Sequence, residues 1–336
     1  MKRKSETQKG MSIEKAREVV IRIKQLEGLS VHSISNYNKL FNDFERFFNK
    51  RKHINNLTTD DARAFIEWQL HDKLQFKEAR FRKNKKKGVS ISSCNTYLQY
   101  AKATFSALLS EGLVDKNIFD VIKNIKQQEK QIDILTEQEI KKILNSLDKS
   151  WYADFRAFVL IYTLIDTFGR ISEVLALKKQ DIDFEKECVT FNETKNNKFR
   201  IVPITKKTMY LLDELIEETK GFESEYIFLT NAGKRLPSDT FRKQLREIVQ
   251  KAGIERRVHP HIFRHTSAML FLKNNGSLRV LQKILGHRDI QTTMIYSHVL
   301  DDTIKLQHDM YSPVKLIEQS EGYKTKTNQK GRRNKK

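Results

Sequence analysis

Apolar residues in the first third of the chain recur at the three- and four-residue spacing of amphipathic helices. Three such stripes are visible, each preceded by a Ser or Thr that suits a helix N-cap. They are Ile34 to Phe48 after Ser33, Ala64 to Trp68 after Thr58 or Thr59, and Tyr97 to Leu108 after Ser92 or Ser93. Val114 to Val121 adds a shorter fourth helix beyond Gly112. Residues 29–127 are therefore predicted to form a small helical bundle with an aromatic core.

The second half of the chain mixes helical and strand patterns. It opens with the capping box Thr136-Glu137-Gln138-Glu139, which predicts a helix start. Val189-Thr190-Phe191 and Ile201-Val202-Pro203 predict two short strands, joined as a β-hairpin by the polar loop 192–200. Further helices are predicted over 155–167, 206–219, 238–251 (with Ser238 as cap), 261–274 and 277–285. The predicted fold class is mainly α with a small β-sheet.

A chain of 336 residues is long enough for about two domains. The polar stretch from Lys123 to Asp133 separates the two patterns and indicates a linker between them. The predicted boundaries are an N-terminal basic, helical extension over 1–28, a helical domain over 29–127, a linker over 128–135, a second domain over 136–312 and a basic tail over 313–336.

Composition narrows the class of protein. With 38% hydrophobic residues the chain can bury real cores, and its two cysteines exclude a disulfide framework or a multi-cysteine zinc site. The longest apolar run, Ala157 to Ile165, is too short to cross a bilayer, and no apolar stretch follows the basic N-terminus as in a secretory signal. No glycine pattern of a nucleotide-binding loop is present. We expect a cytoplasmic protein without a membrane partner, a metal or a nucleotide cofactor.

The charge of the chain points to a polyanionic partner. Lys and Arg outnumber Asp and Glu by 63 to 42, a formal net charge of +21. Such an excess can be only a solvated surface, but here two basic clusters stand out and the rest is spread over both predicted domains. Phe76 to Lys87 holds seven basic residues against one acidic. The tail from 322 to 336 holds seven more and no acid. Nucleic acid is the expected partner. The candidate DNA-binding residues of the first run are Arg80, Arg82, Lys83, Lys85, Lys86 and Lys87.

Five short motifs in the second domain combine residues that suit phosphate chemistry. Arginine forks onto two phosphate oxygens, and histidine donates or moves a proton. In chain order the motifs are Gly169-Arg170-Ile171-Ser172-Glu173, the lysine-bearing loop Thr194 to Arg200, His261-Ile262-Phe263-Arg264-His265, Leu285-Gly286-His287 and Tyr296-Ser297-His298-Val299. Each motif alone has an ordinary alternative, since a lone helical Arg is often a salt-bridge partner and a lone His or Tyr is often packing.

In order and spacing, the five motifs together resemble the tyrosine recombinase (phage integrase) family, in its Xer-like and integrative-element members. The resemblance covers about residues 29–312, and the helix around Tyr97 is similar to the last long helix of the family's core-binding domain. It implies a helical, SAM-like core-binding domain followed by an α+β catalytic domain. It also implies a double-stranded DNA recombination site as substrate, assembly into a tetramer on DNA, and accessory DNA-bending proteins as further partners.

The resemblance also implies roles for individual residues. Arg170 and Arg264 clamp the scissile phosphate, Tyr296 is the nucleophile, His261 is an acid or base, and His287 hydrogen-bonds the phosphate. Lys195 protonates the leaving 5′ oxygen, with Lys198 as the competitor for this role. Lys198 and Arg200 are DNA-binding candidates, and Glu173 and His265 are structural supports.

The implied activity is site-specific recombination through a 3′-phosphotyrosyl intermediate, as in DNA integration by mobile elements, without metal, ATP or another cofactor. The alternatives are a catalytically silent DNA-binding regulator and a relaxing enzyme similar to type IB topoisomerases.

Two departures from the family pattern concern backbone geometry. Thr167-Phe168-Gly169-Arg170 stands where the family often has Thr-Gly-Leu-Arg, and Thr194 and Asn196 flank Lys195 where glycines are common.

Overall fold

A computed structural model of the chain describes residues 10–48, 52–75, 86–127, 133–192, 199–296, 308 and 312–314. The chain divides into two compact units, Met1–Lys130 and Gln131–Lys336. The domain boundaries predicted from the sequence stay predictions at the level of single residues.

The first unit is helical in its described part. Its helices are α1 (Ile13–Leu26), α2 (Val31–Phe48), α3 (Thr59–His71) and α4 (Ile91–Ser110). The Thr58 hydroxyl and the Asp61 carboxylate form a capping box at the start of α3, as the sequence predicts for Thr58. The cap of α4 is Ser90 and not Ser92 or Ser93, so the helix begins at Ile91, two or three residues earlier than predicted.

Aromatic rings fill the core of this unit, as predicted. Phe44 lies at the centre, with ring centroids 4.9 Å from Phe65 and 6.1 Å from Phe119. Helix α1 adds Ile13, Ala16 and Val20 to the same core, so the described part of the predicted N-terminal extension packs with the bundle.

The fourth helix predicted over Val114 to Val121 is wrong: these residues form turns. Asn117 explains the difference, because its side chain competes with helical hydrogen bonds. Its Oδ1 accepts from the backbone N–H of Phe119 at 3.1 Å, and its Nδ2 donates to the carbonyl of Lys102 at 3.0 Å. The turns place Phe119, which is fully buried, in the core.

The second unit combines helices with one small sheet. Its helices are α5 (Glu137–Asn145), α6 (Tyr152–Thr167), α7 (Ile171–Val174), α8 (Lys206–Glu218), α9 (Ser238–Lys251), α10 (Pro260–Lys273), α11 (Leu278–Leu285) and α12 (Gln291–Met294). The strands are β1 (Ile182–Asp183), β2 (Cys188–Phe191) and β3 (Arg200–Pro203), antiparallel in the order β1-β2-β3. The predicted hairpin is β2–β3, and β1 is too short to show a strand pattern. The fold class predicted from the sequence is confirmed.

Helix α6 is the centre of the second unit. Ten of its residues are buried, and it packs against both α8 and α10. The capping box at Thr136 starts α5 as predicted, whereas Pro237, and not Ser238, occupies the cap position of α9. None of the helices within the described ranges is long and apolar enough to cross a membrane.

Candidate active site

The first arginine of the site follows a sharp turn after α6. Phe168 ends the helix in the left-handed conformation (φ 54°), which costs a non-glycine residue about 1–2 kcal/mol. Its ring packs edge-on against Phe271 at 5.8 Å, which holds the turn in place. A Cβ on the next residue, Gly169, would lie only 2.5 Å from Val174 Cγ2. The shifted glycine of the sequence is therefore required by space, and it brings Arg170 to the start of α7.

Arg170 and a second arginine share one buried carboxylate. Glu173 accepts a hydrogen bond from Arg170 Nη1 at 2.7 Å and from the Arg170 backbone N–H at 2.9 Å. Arg200 Nη2 donates to the same carboxylate at 2.8 Å. Burial alone would raise the pKa of Glu173, but the bonds from Arg200 and Arg170 outweigh it and lower that pKa to about 2. Glu173 is therefore ionised at neutral pH.

The second motif arginine ties together the ends of two distant segments. Arg264 lies in α10, is 5% exposed, and donates from Nη1 to the Phe168 carbonyl at 2.6 Å and from Nη2 to the Leu285 carbonyl at 2.7 Å. Burial, and next the charge of Arg170, lower the pKa of Arg264 to about 9, so the guanidinium stays charged at neutral pH. Both partners are neutral carbonyls, and the positive charge remains available to an anion.

His287 is oriented by contacts at both ring nitrogens. Gly286 ends α11 with a φ of 65°, and the chain then turns His287 back onto α10. Its Nε2 lies 3.2 Å from Arg264 Nη2, which can only donate, so Nε2 accepts and Nδ1 carries the proton. Nδ1 then donates to Thr293 Oγ1 at 2.9 Å. Burial, followed by the charge of Arg264, lowers the pKa of His287 to about 4, and the ring is neutral at neutral pH.

His261 lies one helical turn before Arg264 on α10 and has an exposed ring. Partial desolvation and then the charge of Arg264 lower the pKa of His261. The charges of His259, Arg170 and Arg242 lower it further. A neutral imidazole at this place is able to accept a proton.

Tyr296 follows α12 and is 1% exposed, within an apolar cluster that includes Leu281 and Leu285. Its hydroxyl shares a hydrogen bond of 2.7 Å with His265 Nδ1. Burial raises the pKa of Tyr296, and the nearby charge of Arg264 opposes part of that rise. The phenol is therefore neutral and buried, and it is hydrogen-bonded to the helix that carries His261 and Arg264.

The structure brings most of the predicted catalytic residues into one place. Arg264 contacts His287 directly and binds the carbonyl of Phe168, two residues before Arg170. His261 lies one turn before Arg264 on α10, and Tyr296 is hydrogen-bonded to His265 of the same helix. The predicted residues that fall outside the described ranges are Lys195, Lys198, Arg80, Arg82, Lys83 and Lys85. Lys86 and Lys87 are exposed.

Arg200, which is predicted as a DNA contact, is a buried residue of the second unit. Its side chain is 9% exposed and bound to Glu173, because β3 points alternate residues inward. Thr293, which fixes the tautomer of His287, is not predicted from the sequence, because nothing in its sequence context indicates this role. Within the described ranges, no group of three or more His, Cys, Asp or Glu side chains is arranged to hold a metal ion.

Comparison with known families agrees with this geometry. The sequence model of the phage integrase family matches residues 133–303. The chain belongs to the phage integrase family. A second match, to the family's N-terminal SAM-like domain, covers residues 21–112 of this integrase-family chain. The predicted family, and the predicted SAM-like domain followed by a catalytic domain, are thereby confirmed.

Two relatives illustrate the extent of the similarity. The chain is 30% identical over 237 residues to tyrosine recombinase XerD of Listeria innocua, which is 68% of this chain and 79% of that protein. It is 31% identical over 301 residues to tyrosine recombinase XerA of Thermococcus kodakarensis, covering 86% of this chain and all of that protein. The Tn1549 transposon integrase, solved in complex with a circular intermediate DNA, shares the fold: TM-score 0.69, 18% identity, 86% of this chain and 95% of that chain.

Proposed function

We propose that this chain is a site-specific DNA recombinase that cleaves and rejoins duplex DNA through a covalent bond to Tyr296. The observation that carries the proposal is that Arg264 contacts both His287 and the turn that leads into Arg170, while the buried phenol of Tyr296 is hydrogen-bonded to the helix that carries Arg264. Fixed guanidinium groups are well suited to the negative charge that grows on a phosphate under attack.

In the proposed reaction the Tyr296 oxygen attacks the phosphorus, and His261 accepts the phenolic proton. The bond from phosphorus to the 5′ oxygen breaks, and Lys195 gives that oxygen a proton, which makes it a better leaving group. The product is a 3′-phosphotyrosyl bond and a free 5′ hydroxyl. Attack by the 5′ hydroxyl of a partner duplex reverses the step, and neither ATP nor water is consumed. Arg170 and Arg264 hold the phosphate oxygens throughout.

The stored position of Tyr296 sets a requirement for this reaction. Its hydroxyl is enclosed and bound to His265, so the residue has to leave the apolar cluster before attack. A bound phosphate favours the charged form of a neighbouring imidazole, so His287 can donate from Nε2 once the anion displaces its contact with Arg264.

Exchange between two duplexes requires several active sites at once. We therefore propose that the chain assembles into a tetramer on two recombination sites, with accessory DNA-bending proteins as further partners. As expected from the sequence, we propose that it acts in the cytoplasm.

The test is the trapping of the covalent intermediate. A binding site is first selected from a pool of random duplexes, and duplexes with a nick beside each successive phosphate of that site are then incubated with the chain. Loss of the short fragment at the nick prevents rejoining, so we expect a stable protein–DNA adduct with the wild type and none with Tyr296→Phe. Tyr210→Phe is the matched control, since Tyr210 is 62% exposed on α8 and should leave adduct formation unchanged.

The outcomes separate the competing functions. An adduct that transfers its strand to a second duplex supports a recombinase, whereas relaxation of supercoiled DNA without transfer indicates a topoisomerase-like enzyme. Binding to the selected site without any adduct indicates a silent regulator and would overturn the proposal.

A further inference from the structure

The buried arginine at the start of β3 is the strongest unassigned feature of the site. Arg200 is paired across the sheet with Phe191, and its guanidinium lies 4.4 Å from the centroid of that ring. Strand alternation turns Arg200 and Val202 inward while Ile201 and Pro203 face outward. Its place in the interior therefore follows from the register of the hairpin.

The contacts of Arg200 lead directly to the phosphate clamp. Its Nη2 donates to Glu173 Oε2, which also accepts from the backbone N–H of Arg170. Glu173 Oε1 binds Arg170 Nη1. One carboxylate, 3% exposed, thus joins a buried guanidinium to a guanidinium that is 27% exposed. Only Arg170 of the two is placed to meet a ligand from solvent.

Arg200 also packs against the turn that carries His287. A Cβ built on Gly286 would lie 3.1 Å from Arg200 Cδ, so the two segments are in close approach. The charge of Arg200 contributes to the lowered pKa of both Arg264 and His287. One side chain therefore touches the sheet, the start of α7 and the end of α11.

A second cation on Glu173 has a clear physical consequence. A carboxylate that bound Arg170 alone would neutralise it, and only the backbone N–H of Arg170 would then fix its orientation. Arg200 anchors the carboxylate from behind, keeps the three-residue group at net positive charge, and leaves Arg170 with one defined orientation.

We propose that Arg200 is a positioning residue that holds Glu173, and through it the guanidinium of Arg170, in the orientation that the DNA phosphate requires. This inference rests on the function proposed above. It replaces the sequence-based expectation that Arg200 itself contacts DNA.

The experiment compares Arg200→Gln and Arg200→Lys with wild type in the full chain, on the nicked duplex that traps the adduct. We expect Arg200→Gln to slow adduct formation at saturating DNA by about 10- to 100-fold, because a misplaced clamp loses its alignment with the phosphate. We expect its DNA affinity and the salt dependence of that affinity to match wild type. Arg200→Lys keeps one charged hydrogen bond and should recover part of the rate. Lys206→Gln, which removes an 88% exposed cation, is the control for loss of charge alone.

A pH profile separates positioning from a merely structural role. Without Arg200 the buried Glu173 has less to offset its desolvation, so its pKa rises and the acid-side loss of activity moves to higher pH. Arg170, which binds the same carboxylate, is unchanged in the variant, and so are Arg264 and His287, whose pKa values this carboxylate raises. Lys206→Gln should leave the profile in place.

The results that would overturn the inference are distinct. A salt slope that falls by about one with an unchanged saturating rate makes Arg200 a DNA contact. A lowered thermal midpoint with an unmoved pH profile, and no recovery in Arg200→Lys, makes it structural only. If Arg200→Gln does not fold, Glu173→Gln tests the same link. Because Arg200 acts through Glu173, adding Arg200→Lys to Glu173→Gln should slow the reaction no further than Glu173→Gln alone. Absence of a wild-type adduct defeats the proposed function and not this link in particular.

Discussion

The two histidines that hydrogen-bond inside the site are held neutral by their surroundings. Burial is the first cause in both cases, and it lowers the pKa of His265 and of His287 to about 4. An unfolded histidine has a pKa of about 6.5. Between these two pKa values the histidines are protonated in the unfolded chain but neutral in the folded chain. Their contribution to the free energy of unfolding is therefore complete above about pH 6.5 and is lost as the pH falls toward 4.

We expect the thermal midpoint of the wild type to decrease as the pH is lowered from 6.5 to 4.5. The midpoint of His265→Leu should decrease less, because one of the two titrating rings has been removed. Calorimetry at several pH values measures both. Equal pH dependence in the two proteins would contradict the assignment of His265 as a buried neutral ring.

A double variant controls for the loss of the hydrogen bond. At pH 7, His265→Leu leaves the Tyr296 hydroxyl buried without its partner, which costs about 1–3 kcal/mol. Adding Tyr296→Phe removes the unpaired hydroxyl, so the double variant should regain most of that stability.

At the scale of elements, the site depends on a turn that departs from the usual family pattern. Phe168 takes the left-handed conformation, and Gly169 sits where Val174 and Phe191 leave no space for a side chain. The turn matters because it supplies both the carbonyl that binds Arg264 and the N-cap residue of α7, Arg170.

We expect Gly169→Ala to lower the free energy of unfolding by about 1–3 kcal/mol, because its Cβ forces Val174 or Phe191 to move. Displacement of Arg170 should slow adduct formation as well. Gly221→Ala is the matched control, since no atom lies within 4 Å of the Cβ it would gain. Equal stability of the two variants, measured by urea denaturation, would show that the turn tolerates a side chain.

Helix starts were predictable where a capping side chain and an apolar stripe coincide, as at Thr136. They were less so where neighbouring serines fit the same pattern, as at Ser90. Motif order placed the catalytic candidates in one unit. The pairing of Arg200 with Glu173 was beyond the sequence, because it depends on the strand register that sets Arg200 opposite Phe191.

At the scale of the whole molecule, the net charge of +21 governs encounter with DNA. The charge is spread over both units, while the site itself uses only a few cations. Binding strength and cleavage should therefore respond to different residues, since phosphate contacts supply affinity without chemistry.

We expect the paired substitution Lys86→Gln and Lys87→Gln to lower the slope of log affinity against log salt by about two, because each exposed lysine releases about one counterion. The adduct rate at saturating DNA should be unchanged. Lys141→Gln with Lys142→Gln removes two exposed cations from α5 and is the control. Fluorescence anisotropy over a range of NaCl concentrations measures the slope, and an unaltered slope would exclude these lysines from the interface.

The carbonyl contacts of Arg264 have a consequence for how variants of this chain are interpreted. That guanidinium fastens the end of α11 and the turn after α6, segments 21 and 96 residues away in sequence. Removing it frees both the end of α11 and the turn after α6. An inactive Arg264 variant is thus ambiguous on its own, and only a parallel check that both ends still pack can attribute the defect to chemistry.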